Sequence, residues 1–528
     1  MARPLNLADV LEVITDAVPD RPAIITNDAE YSYAVLDERA TRLANHLAAS
    51  GVRRGDHVGV HAANRIEWID AFFACFKIGA SPINVNYRYV HNELRYLYSN
   101  ANCVAIVVAP EYRQAVADIE AELGQVRHIL TMGAEYDAAC AAASAQRPPY
   151  TARSADDIYM LYTGGTTGMP KGVMWRNEDI IMAALNAGRG NRPIERVEQL
   201  GEEAAAAPMA LRMMGMGPMM HGGAQWTMGN AVVSGSTYVM YCGSFDAHRV
   251  WELAVRSKTN SISTMGDAMA RPLAEALADG TATYDLSNLY GFGNGGAPLT
   301  PNVKAQLRAV LPNVAIVDSY GASETGAAGA RPDDGSQGAP RFNTGADTTV
   351  LSDDLRVCAV GEIGKLARSG HIPLGYYQDP DKTAATFPVV DGKRWVVPGD
   401  FARIEDDGSI SVLGRGSVSI NSGGEKIFPE EVEAALKAHP AVYDAAVVGT
   451  PSERWGEQVT ALVVMRPGMT ADHAELVAHA RTLIADYKAP KSILVVDGVP
   501  RTPVGKVDYR ACKDDALARL HPPDGAVS

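Results

Sequence analysis

The sequence predicts an α/β protein. A large N-terminal domain of layered α/β subdomains plus a small β-barrel is followed by a small mobile C-terminal α+β domain. Three observations carry this. Strand-like and helix-like periodicities alternate through the first part of the chain, the pattern turns to short strands from about 341 to 414, and alternation restarts after the small-residue break Gly414-Arg415-Gly416-Ser417. At 528 residues the chain exceeds one ordinary core. The boundary is placed so that residues 1–414 and 415–528 form the two domains.

In order, Leu36 to Leu47 has apolar positions at helical spacing and stops near Gly51. Asp56 to His61 reads as a strand, and a helix follows through Trp68, Phe72 and Phe73. Cys103-Val104-Ala105-Ile106-Val107-Val108 is the continuous run of a strand covered on both faces. Strand, helix and strand in succession imply right-handed parallel crossovers. Past the barrel-like stretch, Pro429-Glu430-Glu431 opens a helix with proline and acids at its start. Ala445 to Val448 and Val459 to Val464 then read as strands.

The apolar run Ile158 to Leu161 empties into Tyr162-Thr163-Gly164-Gly165-Thr166-Thr167-Gly168-Met169-Pro170-Lys171-Gly172, with four glycines, three threonines, one lysine and no acid. Glycines let backbone N–H groups approach an anion, hydroxyls add donors, and the lysine adds a positive point charge. The stretch suits phosphate, although a plain surface turn has a related composition. It is not the G-x-x-x-x-G-K-[ST] loop of NTPases, which occurs nowhere in the chain. A helix is expected after it. Two further glycine-bearing turns follow apolar runs: Asn294-Gly295-Gly296-Ala297-Pro298-Leu299, and Asp318-Ser319-Tyr320-Gly321-Ala322-Ser323-Glu324-Thr325. Ligand sites of open α/β sheets gather beyond strand C-terminal ends, so these turns are expected to line one crevice. Glu324 stands beside hydroxyls, as either a helix-capping acid or a Mg²⁺ ligand near phosphates.

Between Gly188 and Gly223, five of the 18 methionines fall within eight residues, ending at Met219-Met220-His221. Buried gap-fillers or a deformable apolar pocket wall both fit. His221 and Trp226 are equally open between core and pocket.

Bulk composition limits the partners. A net charge of −14 argues against nucleic acid, since phosphate backbones need a basic face. The six cysteines are scattered with no C-x-x-C, which suits reduced thiols. The first residues lack the apolar core of a signal peptide, and no apolar run approaches the ~20 residues of a membrane helix. The expectation is a cytoplasmic protein without a transmembrane segment, with a homodimer as the assembly considered.

Together these stretches resemble the acyl-adenylate-forming superfamily of acyl-CoA synthetases, luciferases and peptide-synthetase adenylation domains, over nearly the whole chain and in motif order. Tyr162 to Gly172 resembles its phosphate-binding signature, and Gly295 to Leu299 with Asp318 to Thr325 resemble its adenine and magnesium motifs. Asp400 falls at its ribose-binding aspartate. Gly414-Arg415 with Ser422-Gly423-Gly424-Glu425 resembles the hinge and thioester-forming loop, and Pro503-Val504-Gly505-Lys506 ends at its catalytic lysine.

The resemblance implies ATP, Mg²⁺ and coenzyme A as cofactor and co-substrates, with an apolar carboxylic acid as substrate. Lys506, Glu324 and Thr167 would be catalytic, the last two through Mg²⁺. Thr163, Gly164, Gly165, Thr166, Thr167, Gly168 and Lys171 would hold phosphates. Gly295, Gly296, Ala297, Pro298, Asp318, Ser319, Tyr320, Gly321, Ser323, Asp400 and Arg415 would complete the nucleotide site. His221, Trp226 and Met220 would line the acyl pocket, as in actinobacterial fatty-acyl or steroid-side-chain CoA ligases. Ser422, Gly423, Gly424 and Glu425 would face coenzyme A after the C-terminal domain swings about Ser417. Relatives usually carry Asp or Lys at that hinge, so Ser417-Val418 departs from the pattern. The alternatives are an adenylate-forming amide ligase, which passes the acyl group to an amine, and a non-catalytic nucleotide- or acyl-binding protein.

Overall fold

The computed structural model describes residues 3–163, 169–185, 194–297, 299–335, 340–415, 418–422, 425–452, 456–484, 486–502 and 506–520. An eight-stranded sheet runs in the order Gly326–Pro332, Ala315–Ala322, Gly291–Asn294, Ser261–Thr264, Arg212–Gly215, Thr237–Met240, Pro22–Ile25, Glu30–Ser32. Its six central strands are parallel and its two edge strands antiparallel. A second, all-parallel sheet orders Ser81–Asn84, His57–His61, Cys103–Val108 and His128–Thr131. The β-branched run at Cys103–Val108 is buried almost throughout, as a doubly covered strand requires.

Helices cover these sheets because their apolar stripes have nowhere else to go. Ile66–Lys77 is buried along its length, and Trp68, Phe73 and Phe76 are each within 1% of full burial. Each such side chain contributes roughly 1.5–3 kcal/mol relative to exposure. Ala247–Arg256, Asp267–Ala278 and Pro301–Val310 pack Trp251, Leu273, Val303 and Leu307 against Ile262 and Phe292 of the large sheet. The methionine-rich stretch resolves here: Arg212–Gly215 is a central strand, and Met214 and Met216 belong to this core. A buried charge cluster ties the N-terminal helix Leu7–Ala17 down. Arg153 meets Asp9 and Glu12, and Lys77 meets Glu12 and Asp37.

Two expectations change. The phosphate-loop strand is followed by a second strand and not directly by a helix. Ile158–Thr163 pairs antiparallel with Lys171–Arg176, from Ile158↔Arg176 to Thr163↔Lys171, and the helix Asn177–Ala183 begins only afterwards. The period-2 burial of Val173 and Trp175 in Lys-Gly-Val-Met-Trp-Arg is the signal for that strand. The described residues that flank the loop are therefore paired strands, and no helix begins directly after it. Between 341 and 415 the short antiparallel strands form a seven-stranded sheet whose pairings, among the described residues, make a path with one branch and not a closed ring.

The last sheet uses only residues after 419: Glu425–Ile427, Ile420–Ser422, Gly456–Met465 and Val442–Ser452, with Ser492–Val495 parallel beside Gly456–Met465. Ile420, Val432, Leu436, Val447 and Ala461 pack beneath it into a core of its own. The helix Pro429–Lys437 forms as expected, while both central strands are longer than their apolar runs because they pair over ten positions.

Candidate active site

Three parallel strands end level, and the fourth, Ala315–Ala322, passes that level at Asp318 and runs on to Ala322 paired with Gly326–Pro332. The turn expected from Asp318 is thus strand as far as Ala322, and the chain turns only at Ser323. Gly215 pairs with Ser263, Thr264 with Asn294, and Asn294 with Asp318. The turns that leave the first three therefore emerge at one edge of the sheet, which is where open α/β sheets place their ligands. Gly296 has φ +77°, a conformation L side chains rarely adopt, so the turn needs glycine there. At Gly321 a Cβ would lie 2.6 Å from the Gly326 carbonyl oxygen, so the hairpin at Ala315–Ala322 closes only around glycine.

Polar contacts hold this edge. The Ser319 hydroxyl donates to the Asn294 carbonyl at 2.8 Å, and Asn294 Nδ2 donates to Asp318 Oδ1 at 3.3 Å. The Tyr320 hydroxyl reaches Asp400 Oδ2 at 2.5 Å, and Asp400 is 5% exposed at the start of strand Asp400–Ile404. Trp175 Nε1 donates to the Ser323 carbonyl at 2.9 Å, and the Tyr376 hydroxyl donates to Glu324 Oε1 at 2.9 Å. Arg368, buried, donates to the Thr325 and Ala327 carbonyls at 2.5 and 2.9 Å and to Asp347 at 2.9 Å. Trp175, Tyr376 and Arg368 are supports that sequence reasoning missed. They sit outside the glycine-rich turns, and nothing local marks them as partners of Glu324 and its neighbours.

The hairpin joins the same edge through Asn84, another residue without a local signal. Its Nδ2 donates to the Tyr162 carbonyl at 2.8 Å and the Met220 carbonyl at 2.7 Å, while Oδ1 accepts from Tyr162 N–H at 2.8 Å. One buried amide thus ties the strand before the loop to the turn carrying Met220 and His221. His221 precedes helix Gly222–Val233, and Trp226 lies one turn in. At Gly222 a Cβ would fall 2.6 Å from Leu161 Cδ2 and 3.4 Å from Trp226, so this helix start presses on the hairpin strand. Met220 and His221 are thereby brought to the crevice edge. Lys171 forms an ion pair with Asp379 and lies 6.0 Å from the Tyr376 ring centroid. Its ammonium is held at the hairpin base, beside the hydroxyl that reaches Glu324.

Burial pushes the His221 imidazole pKa down to about 4, and the positive charges of Lys506 and Arg88 push in the same direction. The imidazole is neutral near pH 7, and its Nε2 has no hydrogen-bond partner among the described residues. Lys506 thus lies within the electrostatic reach of His221, although 285 residues separate them in the chain. Thr502 N–H donates to the Lys506 carbonyl at 2.8 Å, and Arg501 and Val507 form an antiparallel bridge beside it. Between the two parts of the chain, the Arg271 guanidinium lies 4.5 Å from the Tyr443 ring centroid, and Asn302 Nδ2 donates to the Lys437 carbonyl at 2.7 Å. Ser422 pairs antiparallel with Glu425.

The expectations at Gly164, Gly165, Thr166, Thr167, Gly168, Pro298, Ser417, Gly423 and Gly424 lie outside the described residues, as do the side chains of Arg415 and Glu425. Among the described residues no group of three or more His, Cys, Asp or Glu is placed to hold a metal ion. Glu324 as a lone carboxylate fits Mg²⁺, which usually takes one or two protein carboxylates and fills its octahedron with substrate phosphates and water.

The chain matches the AMP-binding enzyme family over residues 11–377 and the AMP-binding enzyme C-terminal domain over 431–506. It is 45% identical to a 3-oxocholest-4-en-26-oate–CoA ligase of Rhodococcus rhodochrous, covering 98% of this chain and 96% of that protein. It is 46% identical to a medium/long-chain-fatty-acid–CoA/3-oxocholest-4-en-26-oate–CoA ligase of Mycobacterium tuberculosis, covering 98% and 97%. Among solved structures, ATP-bound MatB from Rhodopseudomonas palustris superposes with a TM-score of 0.82 at 25% identity, over 97% of this chain and 99% of that one. No described helix is long and apolar enough to cross a membrane. The chain belongs to the AMP-binding enzyme family.

Proposed function

We propose that this protein is an ATP-dependent acyl-CoA synthetase for a large apolar carboxylic acid, a fatty acid or steroid side-chain acid, acting in the cytoplasm. The observation that carries this reading is the placement of Asn294 beside Asp318 at one end of the large sheet, with Tyr320 bonded to Asp400 and Lys506 within electrostatic reach of His221. All six cysteines are free thiols, in keeping with a reducing compartment.

In the first half-reaction a substrate carboxylate oxygen attacks the α-phosphorus of ATP, and the bond to the pyrophosphate oxygen breaks. Lys506 bridges the carboxylate and the α-phosphate as a point charge on a flexible stem. Tyr320 stacks on adenine, Asp318 accepts from its exocyclic amine, and Asp400 accepts from ribose hydroxyls. Thr163 through Gly168 contact the departing phosphates, while Lys171 supports the hairpin base. Glu324, with help from Thr167, would hold Mg²⁺, which when bound would neutralise charge on the phosphates. The neutral His221 beside the buried Met220 keeps the acid's carboxylate end dry without adding a competing charge.

In the second half-reaction the domain of residues 415–528 turns about Ser417, withdrawing Lys506 and bringing the Ser422–Glu425 hairpin to the thiol channel. The coenzyme A thiolate attacks the acyl carbonyl, and AMP leaves with the electron pair of the broken C–O bond. One cleft thus serves both half-reactions through a rotation. The coenzyme A ligases among the relatives favour this reading over amide formation. The test is AMP release with ATP, Mg²⁺, coenzyme A and a panel of fatty and steroid side-chain acids. Thioester with none of them, or faster turnover when an amine replaces coenzyme A, would overturn it.

A further inference from the structure

Both oxygens of Asp318 are held from below. Lys304, on the second turn of helix Pro301–Val310, ion-pairs with Asp318 Oδ2 and lies 3.4 Å from Asp333 Oδ1. Asn294 Nδ2 holds Asp318 Oδ1 at 3.3 Å. One helical turn on, Arg308 pairs with Asp333. The charges alternate as Arg308, Asp333, Lys304, Asp318, and the carboxylate at the end of the row is the one at the strand-end crevice. The Lys304 and Asp318 side chains are each only 13% exposed, so water screens this pair weakly.

We propose that Lys304 is a positioning residue that fixes the orientation of the Asp318 carboxylate, and so selects purines carrying an exocyclic amine. The proposal rests on the adenine reading of Asp318 given above. An ionised carboxylate can only accept. It meets the amine of adenine with a charge-assisted bond, whereas the 6-oxo group of hypoxanthine or guanine leaves two acceptors facing each other. Losing Lys304 would let the Asp318 carboxylate rotate. A carboxylate turned off the base edge no longer tells an amine from a carbonyl, so the selectivity would fall with the affinity.

Calorimetric binding of AMP and IMP to the full chain tests this without turnover, alongside the ATP KM and kcat of the acid-activation step. Wild type should favour AMP over IMP by ~10-fold or more. Lys304→Met should collapse that ratio and raise the ATP KM by ~10-fold with kcat within about two-fold, and Lys304→Arg should restore both. Should Lys304→Met fail to fold, Lys304→Gln, which keeps a donor without the charge, is expected to behave the same way. A Met or Gln variant with a lower melting temperature but an unchanged AMP/IMP ratio and ATP KM would make Lys304 a structural ion-pair partner only and overturn the proposal. If wild type itself fails to distinguish AMP from IMP, the adenine reading of Asp318 falls with it.

Discussion

The Tyr320 hydroxyl donates to Asp400 Oδ2 at 2.5 Å, joining the strand Ala315–Ala322 of the eight-stranded sheet to the first residue of a strand in the antiparallel sheet. The two groups proposed to hold base and ribose are thus set against each other by one bond. Asp400→Ala should raise the KM for ATP in pyrophosphate exchange by ~10-fold or more, because ribose loses an acceptor. Tyr320→Phe keeps the ring and should cost only about three-fold. Equal losses would mean that the phenol–carboxylate bond, and not ribose binding, sets the effect.

Glu324 takes a hydrogen bond from Tyr376 at 2.9 Å through one oxygen, and the Mg²⁺ proposed above would use the other. Tyr376→Phe should raise the Mg²⁺ concentration for half-maximal adenylation by roughly three- to ten-fold, with most activity recovered at saturation. Glu324→Gln should lose ~10²-fold at any Mg²⁺ concentration. A Tyr376→Phe defect insensitive to Mg²⁺ would remove Tyr376 from this role.

Lys506→Ala should abolish acid-dependent pyrophosphate exchange while leaving thioester formation from a synthetic acyl adenylate largely intact. Single-turnover assays of the two half-reactions check this. An equal fall in both would contradict a two-orientation mechanism.

Arg271 faces the Tyr443 ring at 4.5 Å, a contact across the two parts of the chain in the arrangement that brings Lys506 to His221. A cation–π pair of this kind is worth about 1 kcal/mol, so Tyr443→Ala should slow adenylation roughly five-fold. Thioester formation from a synthetic adenylate should be unchanged or faster, and a matching loss there would show a general folding defect.

Burial raises the Asp9 carboxyl from 3.8 to about 7, against the pull of Arg153 and with the repulsion of Glu12 added. Three carboxylates, Asp9, Glu12 and Asp37, share this cluster with two deeply buried cations, Arg153 and Lys77. Because the folded value lies above the unfolded one, the stabilising contribution is complete below about pH 4 and is lost as pH rises through about 7. Burial works against ionisation of Glu12 too, but the bond from Arg153 and the charge of Lys77 hold it down at about 2, so it stays ionised throughout that window. Asp9→Asn should therefore gain on wild type by about 2 kcal/mol, a few degrees of Tm, between pH 5 and pH 8. A Tm difference independent of pH would place the excess charge elsewhere.

The parallel α/β layers were legible because doubly covered strands such as Cys103–Val108 and buried helices such as Ile66–Lys77 write their environment into a short run of residues. The glycine-rich turns were legible for a related reason, since Gly296 and Gly321 answer local geometry. The strand Lys171–Arg176 was missed because its alternation rests on only Val173 and Trp175, and the sequence does not display its pairing with Ile158–Thr163. The open methionine question closed only when Arg212–Gly215 took a central place between Thr237–Met240 and Ser261–Thr264.

By itself, then, the sequence determined which residue types are available for phosphate, base, ribose and metal, and in what order. These are local matters of backbone freedom, donor supply and charge. Which groups hold those residues in place was decided by the tertiary structure. Asn84 on Tyr162 and Met220, Tyr376 on Glu324, and Lys506 within electrostatic reach of His221 all join distant segments. Long-range pairing of buried polar groups depends on how sheets and helices close on one another, and no window of sequence contains both partners.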